Sequence, residues 1–253
     1  MYNGISCKTK GVLLVSKIRY YCSGWEKEKP FPADLIEYLG NDIRGFEKIL
    51  FVPTDFSHKE KIEKNSIGLT DTFNRSGLSF KKIIVLNENM SKEEMYNHIQ
   101  NSNLVFLMGG NPTTQLEIIK DFDLEEAFRK TDAVLMGMSA GAMCMSEYSM
   151  LLPVNEKYPN MEIKEGMNLS DISIYPHYNS NGEVPEILTV DTEQTKKSDL
   201  LYASNNYGSM YLLSDNTEIR EENGTLTFIG ANIIYLNGNE FKLISSGETT
   251  KKR

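Results

Sequence analysis

The sequence predicts an α/β protein with a mostly parallel sheet, closed by a C-terminal β-meander. Apolar runs of strand length alternate with polar, helix-patterned segments as far as Met136, as in a sheet with helices on both faces. Several of those helices carry readable start signals. From Ser209 onward the chain is mostly strand-patterned and holds Asn223-Gly224 and Asn237-Gly238, the strongest short hairpin signals.

The strands expected in the first half are Val12 to Ser16, Ile49 to Pro53, Lys82 to Leu86, Leu104 to Met108 and Ala133 to Met136. Ser57-x-x-Glu60 and Ser91-x-x-Glu94 read as capping boxes, and Asp123-x-x-Glu126 as a weaker relative. Gly77 is placed to end the helix begun at Ser57. Gly24 to Gly40, with the single tryptophan and two prolines, reads as a loop leading into a short helix. Beyond residue 150 the pattern changes. Leu151 to Gly166 is irregular and polar, Ile172 to His177 is a strand ending at Pro176, and 184 to 203 is a helix started near Pro185. The meander comprises Ser209 to Leu213, Glu218 to Arg220, Thr225 to Ile229, Ile233 to Leu236 and Phe241 to Ile244.

At 253 residues the chain suits one large α/β domain, 1–253, with no linker-like stretch. Lys+Arg 27 against Asp+Glu 35 gives a net charge of −8, which argues against nucleic-acid or anionic-membrane partners. No segment approaches the ~18 apolar residues of a membrane span. Cys7, Cys22 and Cys144 are scattered and form no CxxC, so a cytoplasmic protein without disulfides or a zinc site is expected. Cys144 reads as a small core residue.

The most informative stretch is Ala133 to Met143, a buried strand, a sharp turn and a helix start. Gly137-x-Ser139-x-Gly141 has the form of a nucleophile elbow, in which a strained turn lifts a serine hydroxyl above the sheet edge. Small neighbours are required there, and Gly137, Ala140, Gly141 and Ala142 supply them. The competing reading is a tightly packed βα turn with no chemistry. A serine hydroxyl needs a base, usually histidine. His58 and His98 sit on helix-like segments among polar residues, whereas His177 follows an apolar strand and Pro176, at the kind of sheet edge where ligands bind. The alternative is a half-buried loop histidine. An acid must orient that base, and Glu147, Glu156, Asp171, Glu183, Asp191 and Asp215 are available after the elbow. Asp215 has the most suggestive setting, where an apolar strand runs into a turn, although Asp215-Asn216 is also an ordinary turn pair. The N–H groups of Ala140 and of the Gly109-Gly110-Asn111 turn are candidate oxyanion donors, the latter turn alternatively a phosphate cradle. Neither GxGxxG nor GxxxxGK[ST] is present.

Gly109-Gly110-Asn111-Pro112-Thr113, Gly137-Met138-Ser139-Ala140-Gly141-Ala142 and Tyr175-Pro176-His177, in this order, resemble the dipeptidase E (aspartyl dipeptidase) and cyanophycinase family of serine peptidases. The likeness spans approximately residues 10 to 240. It implies a flavodoxin-like three-layer sandwich related to class I glutamine amidotransferases. It also implies Ser139 as nucleophile, His177 as base, and Gly110 and Ala140 N–H as the oxyanion hole, with Gly109 and Asn111 beside the substrate. The family's acid is a glutamate in a strand-end turn before the last hairpins. Asp215 occupies that place, shorter by one methylene. The aspartyl dipeptidase carries an arginine after its histidine to pair with an acidic substrate side chain, but residues 178–197 hold only Lys196 and Lys197 as cations. The resemblance therefore does not extend to a preference for N-terminal aspartate.

The expected function is a serine exopeptidase acting on short peptides, with no metal and no cofactor. An α/β-hydrolase esterase is the nearest rival, but its order is Ser, acid, His with a late histidine, and here a long strand-rich tail follows His177. A glutamine amidotransferase would place cysteine at the elbow. A flavodoxin-like binding module without chemistry is the third reading.

Overall fold

The computed structural model describes residues 17–26, 28–153, 160–178 and 197–251. Five parallel strands carry the architecture: β1 (Ile18–Cys22), β2 (Lys48–Val52), β3 (Lys82–Val85), β4 (Leu104–Leu107) and β5 (Val134–Met138). Leu50, Val52, Val105 and Leu107 face one core, and Ile49, Phe51, Leu104 and Phe106 face another. Burial on both faces is why these strands read as continuous apolar runs. Helices α1 (Ala33–Asp42) and α2 (Lys59–Arg75) cover the second core. Helices α3 (Lys92–Gln100), α4 (Pro112–Asp121), α5 (Glu125–Lys130) and α6 (Ala140–Met145) cover the first.

The parallel strands lie in the order β3-β2-β4-β5-β1. From β2 to β5 this repeats the first four places of the 2-1-3-4-5 doubly wound order, and β1 fills the fifth. Beyond β1 the sheet continues antiparallel through β10 (Glu218–Glu222), β11 (Thr225–Ile229) and β14 (Thr249–Lys251). Arg220 of β10 forks onto Asp42 at the end of α1, at 2.6 and 2.8 Å, tying this extension to the helical layer.

A second sheet has the order β13 (Glu240–Ile244), β12 (Ile233–Asn237), β9 (Met210–Leu213), β8 (Ser173–Tyr175). One face packs on the first core and the other on α7 (Lys197–Tyr207). The C-terminal strands fall where the sequence puts them, but they do not form one meander. The turn after β9 carries the chain into the large sheet, and the turn after β11 carries it back. The two crossings touch, because a Cβ on Gly230 would lie 2.4 Å from the Asn216 carbonyl oxygen. Both Asn-Gly turns form hairpins, β10 with β11 and β12 with β13, and the crossings occur at the turns that carry no such signal.

Other expectations are corrected locally. Val12 to Ser16 lies outside the described residues, and the first described strand is Ile18–Cys22, whose Arg19 and two tyrosines disguise it. The Ser91 capping box forms, with Glu94 reaching back. The one at Ser57 does not, because Asp55 takes the N–H groups of Ser57 and His58. Asp123 sits at φ 48° and pairs with Lys92 instead of capping α5. Gly77, at φ +76°, ends α2 as expected: its N–H and that of Leu78 return to Asn74 and Phe73. The stretch read as irregular, Leu151 to Gly166, holds a strand, β7 (Glu162–Glu165), which pairs antiparallel with β6 (Tyr148–Leu151) just before it. Of the helix expected over 184–203, residues before 197 lie outside the described residues, and α7 runs on to Tyr207. Among the described residues no helix is long and apolar enough to cross a membrane.

β5 and α6 approach closely at the sheet edge, and α6 in turn lies close on β4. A Cβ on Gly137 would meet the backbone of Gly141 and Ala142 at 2.6 Å, and one on Gly141 would meet the Leu107 carbonyl oxygen at 2.2 Å. Backbone at that range cannot yield cheaply. Gly141→Ala is therefore expected to lower the unfolding free energy by about 3 kcal/mol. Urea unfolding checks this; a change below about 0.5 kcal/mol, the scatter of ordinary surface substitutions, would contradict it.

Candidate active site

The C-terminal ends of β1, β2, β4 and β5 lie side by side, and each delivers a turn to the same edge. After β5 the chain turns at Ser139, which has φ 53° and ψ −113°, a backbone shape rare for a residue with a Cβ. Its N–H donates to the Cys22 carbonyl at 2.9 Å, which fixes the turn against the end of β1. After β4 comes Gly109-Gly110. A Cβ on Gly109 would stand 3.5 Å from the Ser139 Cβ, and one on Gly110, at φ +150°, would lie 2.2 Å from Thr54 Oγ1. Gly109 thus brings bare backbone up to the serine, and Gly110 brings it up to Thr54. Asn111 caps α4, its side-chain oxygen accepting from Thr113 and Thr114, so that oxygen is committed locally. Beneath the turn, buried Gln115 donates to the carbonyls of Val52, Pro53 and Met108.

The second sheet brings the remaining groups. β8 and β9 are parallel neighbours with Tyr175 opposite Leu212. His177 lies two residues beyond the end of β8, and Asp215 two beyond the end of β9. His177 Nε2 is 2.9 Å from Ser139 Oγ, and His177 Nδ1 is 2.7 Å from Asp215 Oδ1. The structure therefore brings together Ser139, His177 and Asp215, with Gly109 against them and Ala140 opening α6. Of the other acids weighed, Asp171 lines a separate cavity of about 590 Å³ with Tyr211 and Phe228. Glu156, Glu183 and Asp191 lie outside the described residues. His58 pairs with Asp55, and His98 lies on α3. Cys144 is buried and donates to the Pro112 carbonyl, as a core residue would.

Sequence reasoning missed Ser23 and Gly24. Ser23 is fully buried. Its hydroxyl accepts the His177 N–H at 2.7 Å and stands 3.2 Å from both Asp215 Oδ1 and the Leu213 carbonyl. A Cβ on Gly24 would come 2.9 Å from His177 Cε1, so only glycine fits beneath the ring. Their signal, a Ser-Gly pair at the end of a strand, was hidden because the strand itself was not recognised.

The electrostatics fit an ionised acid beside an imidazole. The hydrogen bond from His177 holds the Asp215 carboxyl below the usual carboxylate range against the opposing effect of burial, and Ser23 adds to the lowering.

The sequence profile of peptidase family S51 matches residues 22–229. The chain belongs to peptidase family S51. The three motifs of the sequence and the family profile thus lead to one assignment, the dipeptidase E family. The fold is similar to the crystal structure of a peptidase from an acI-B1 Actinobacterium, with TM-score 0.69 and 16% identity over 93% of this chain and 97% of that one. It is also similar to a candidate peptidase E protein from Listeria monocytogenes EGD-e, with TM-score 0.54 and 16% identity over 91% and 100% of the two chains. No curated protein matches the sequence.

One acid beside the site behaves differently. Glu218 is completely buried on β10, takes a 2.7 Å hydrogen bond from Trp25 Nε1, and leaves Oε2 unpartnered. Burial pushes its carboxyl up to about 8, with Trp25 opposing and Asp34 adding to the rise. An unfolded glutamate titrates near ~4.3. Between these values the folded protein holds a proton that the unfolded chain has released. Stability contributed by this group is thus full below the unfolded value and lost as pH rises, at about 1.4 kcal/mol per pH unit between the two values. Glu218→Gln is expected to gain on the wild type steadily from pH 5 to 8 in urea unfolding. Parallel stability curves would contradict a neutral buried acid.

Proposed function

We propose that this peptidase is a serine exopeptidase of the dipeptidase type, hydrolysing short peptides through Ser139, His177, Asp215 and an acyl-enzyme. The unbroken run of hydrogen bonds from Ser139 Oγ through the His177 ring to Asp215 carries the reading. The positive φ of Ser139 supports its assignment as the serine of a nucleophile elbow. The order of β2 to β5 supports the flavodoxin-like relationship.

With Nδ1–H donated to Asp215, the imidazole presents Nε2 as an acceptor to the serine hydroxyl. Ser139 Oγ attacks the scissile carbonyl while His177 takes its proton. The tetrahedral oxyanion is held by the N–H groups of Gly110 and Ala140. Collapse breaks the C–N bond, with the proton on His177 passing to the leaving amine. Water then attacks the acyl-enzyme, His177 removes its proton and returns it to Ser139, and the free carboxylate leaves. Each step uses only groups of this chain, the peptide and water. The net charge of −8 argues against nucleic-acid or anionic-membrane partners, and the scattered cysteines suit the cytoplasm. Against the esterase order, the acid bonded to His177 is Asp215, which follows it in the chain, while Asp171 lines a separate cavity.

Ser139→Ala and His177→Ala are each expected to lower kcat/KM on a panel of dipeptides by at least ~10⁴-fold, and Asp215→Ala by about 10³-fold or more. Steady-state hydrolysis checks this. Retained turnover in Ser139→Ala would overturn the reading, whereas ligand binding without turnover in the wild type would favour the binding module.

A further inference from the structure

We propose that Ser23 is a positioning residue of this site, its buried hydroxyl locking the His177–Asp215 pair from below. The inference rests on the reading of Ser139, His177 and Asp215 given above. His177 has φ 58°, a conformation that a residue with a side chain keeps only when its surroundings hold it. Its N–H is the group that must be anchored, and Ser23 Oγ accepts it at 2.7 Å. The same hydroxyl has one proton to give and two acceptors at 3.2 Å, the Leu213 carbonyl and Asp215 Oδ1. An ionised carboxylate is the stronger acceptor. Asp215 Oδ1 is also the oxygen that takes the His177 Nδ1 hydrogen bond. Ser23 thus touches both partners through one oxygen, without reaching Ser139.

Its surroundings are built to keep that oxygen in place. Ser23 N–H donates to the Thr217 carbonyl at 3.2 Å, Gly24 O accepts from Asn216 N–H at 2.8 Å, and Tyr178 N–H donates to Leu213 O at 2.9 Å. The end of β1 is therefore laced to both loops that carry the imidazole and the carboxylate. Gly24 supplies the clearance, since a Cβ there would stand 3.1 Å from Asp215 Oδ1. At 0% exposure Ser23 has no water to replace a lost partner.

The test is the rate of covalent labelling by a fluorophosphonate probe, followed across pH in wild type, Ser23→Ala, Asp215→Asn and the double variant. Ser23→Ala is expected to label about tenfold more slowly, with the acid limb of its profile moved to higher pH, because the carboxylate has lost a donor. In the Asp215→Asn background the same change should cost less than about threefold, since coupled residues are not additive. Equal loss at every pH and in both backgrounds would mean a merely structural serine and would overturn the proposal. Labelling at the wild-type rate would overturn it too. Ser23→Cys keeps the size but offers a poorer donor, and it is read in the same way if Ser23→Ala does not fold. Ser139→Ala is the control: labelling that persists there defeats the assignment of the nucleophile, a result distinct from failure of the Ser23 proposal.

Discussion

The hydrogen bond between Ser139 Oγ and His177 Nε2, at 2.9 Å, is made where two sheets that share no strand meet. Everything near it serves that meeting. The large sheet presents the serine on a turn held open by Gly137 and Gly141. The smaller sheet presents the imidazole and carboxylate on neighbouring parallel strands. For both edges to arrive at one point, the chain must cross between sheets after β9 and return after β11, and the backbone contact of Gly230 with Asn216 permits the two crossings to stack. The acid therefore sits in a turn whose shape is fixed by the topology.

The energetics separate orientation from stability. The side chains of His177 and Asp215 are 47% and 58% exposed, so their hydrogen bond lies open to solvent and adds little to folding. Its value lies in holding one tautomer and one ring orientation. Stability comes instead from the double-faced core of β2, β4 and β5 and from buried polar contacts such as Arg220 with Asp42. Glu218, neutral and half-satisfied beneath Trp25, is a cost carried close to the site.

Much of this was legible because its causes are local. The glycine corner around Ser139, the strand-Pro-His ending at His177 and the strand-end aspartate each follow from what neighbouring residues permit. Gly77 and the Ser91 capping box were readable for the same reason. What was hidden depends on through-space order. β1 could not be recognised from Arg19, Tyr20 and Tyr21: Arg19 pairs with Glu221 on the neighbouring strand, and the Tyr20 hydroxyl reaches Asp42 at the end of α1. With β1 unseen, Ser23 and Gly24 had no visible connection to residues 177 and 215. Asn223-Gly224, both residues at positive φ, makes the hairpin it signals, whereas the changes of sheet come after β9 and β11, where no such signal stands.

Ser139 is proposed as the nucleophile at the junction of the two sheets, its oxygen giving the electron pair that attacks the carbonyl carbon. Peptide mapping by mass spectrometry after fluorophosphonate treatment tests it most directly. A single phosphonyl adduct on Ser139, lost when His177 is replaced by alanine, is the result predicted. An adduct on another residue, or a protein that hydrolyses peptides while Ser139 stays unmodified, would contradict it.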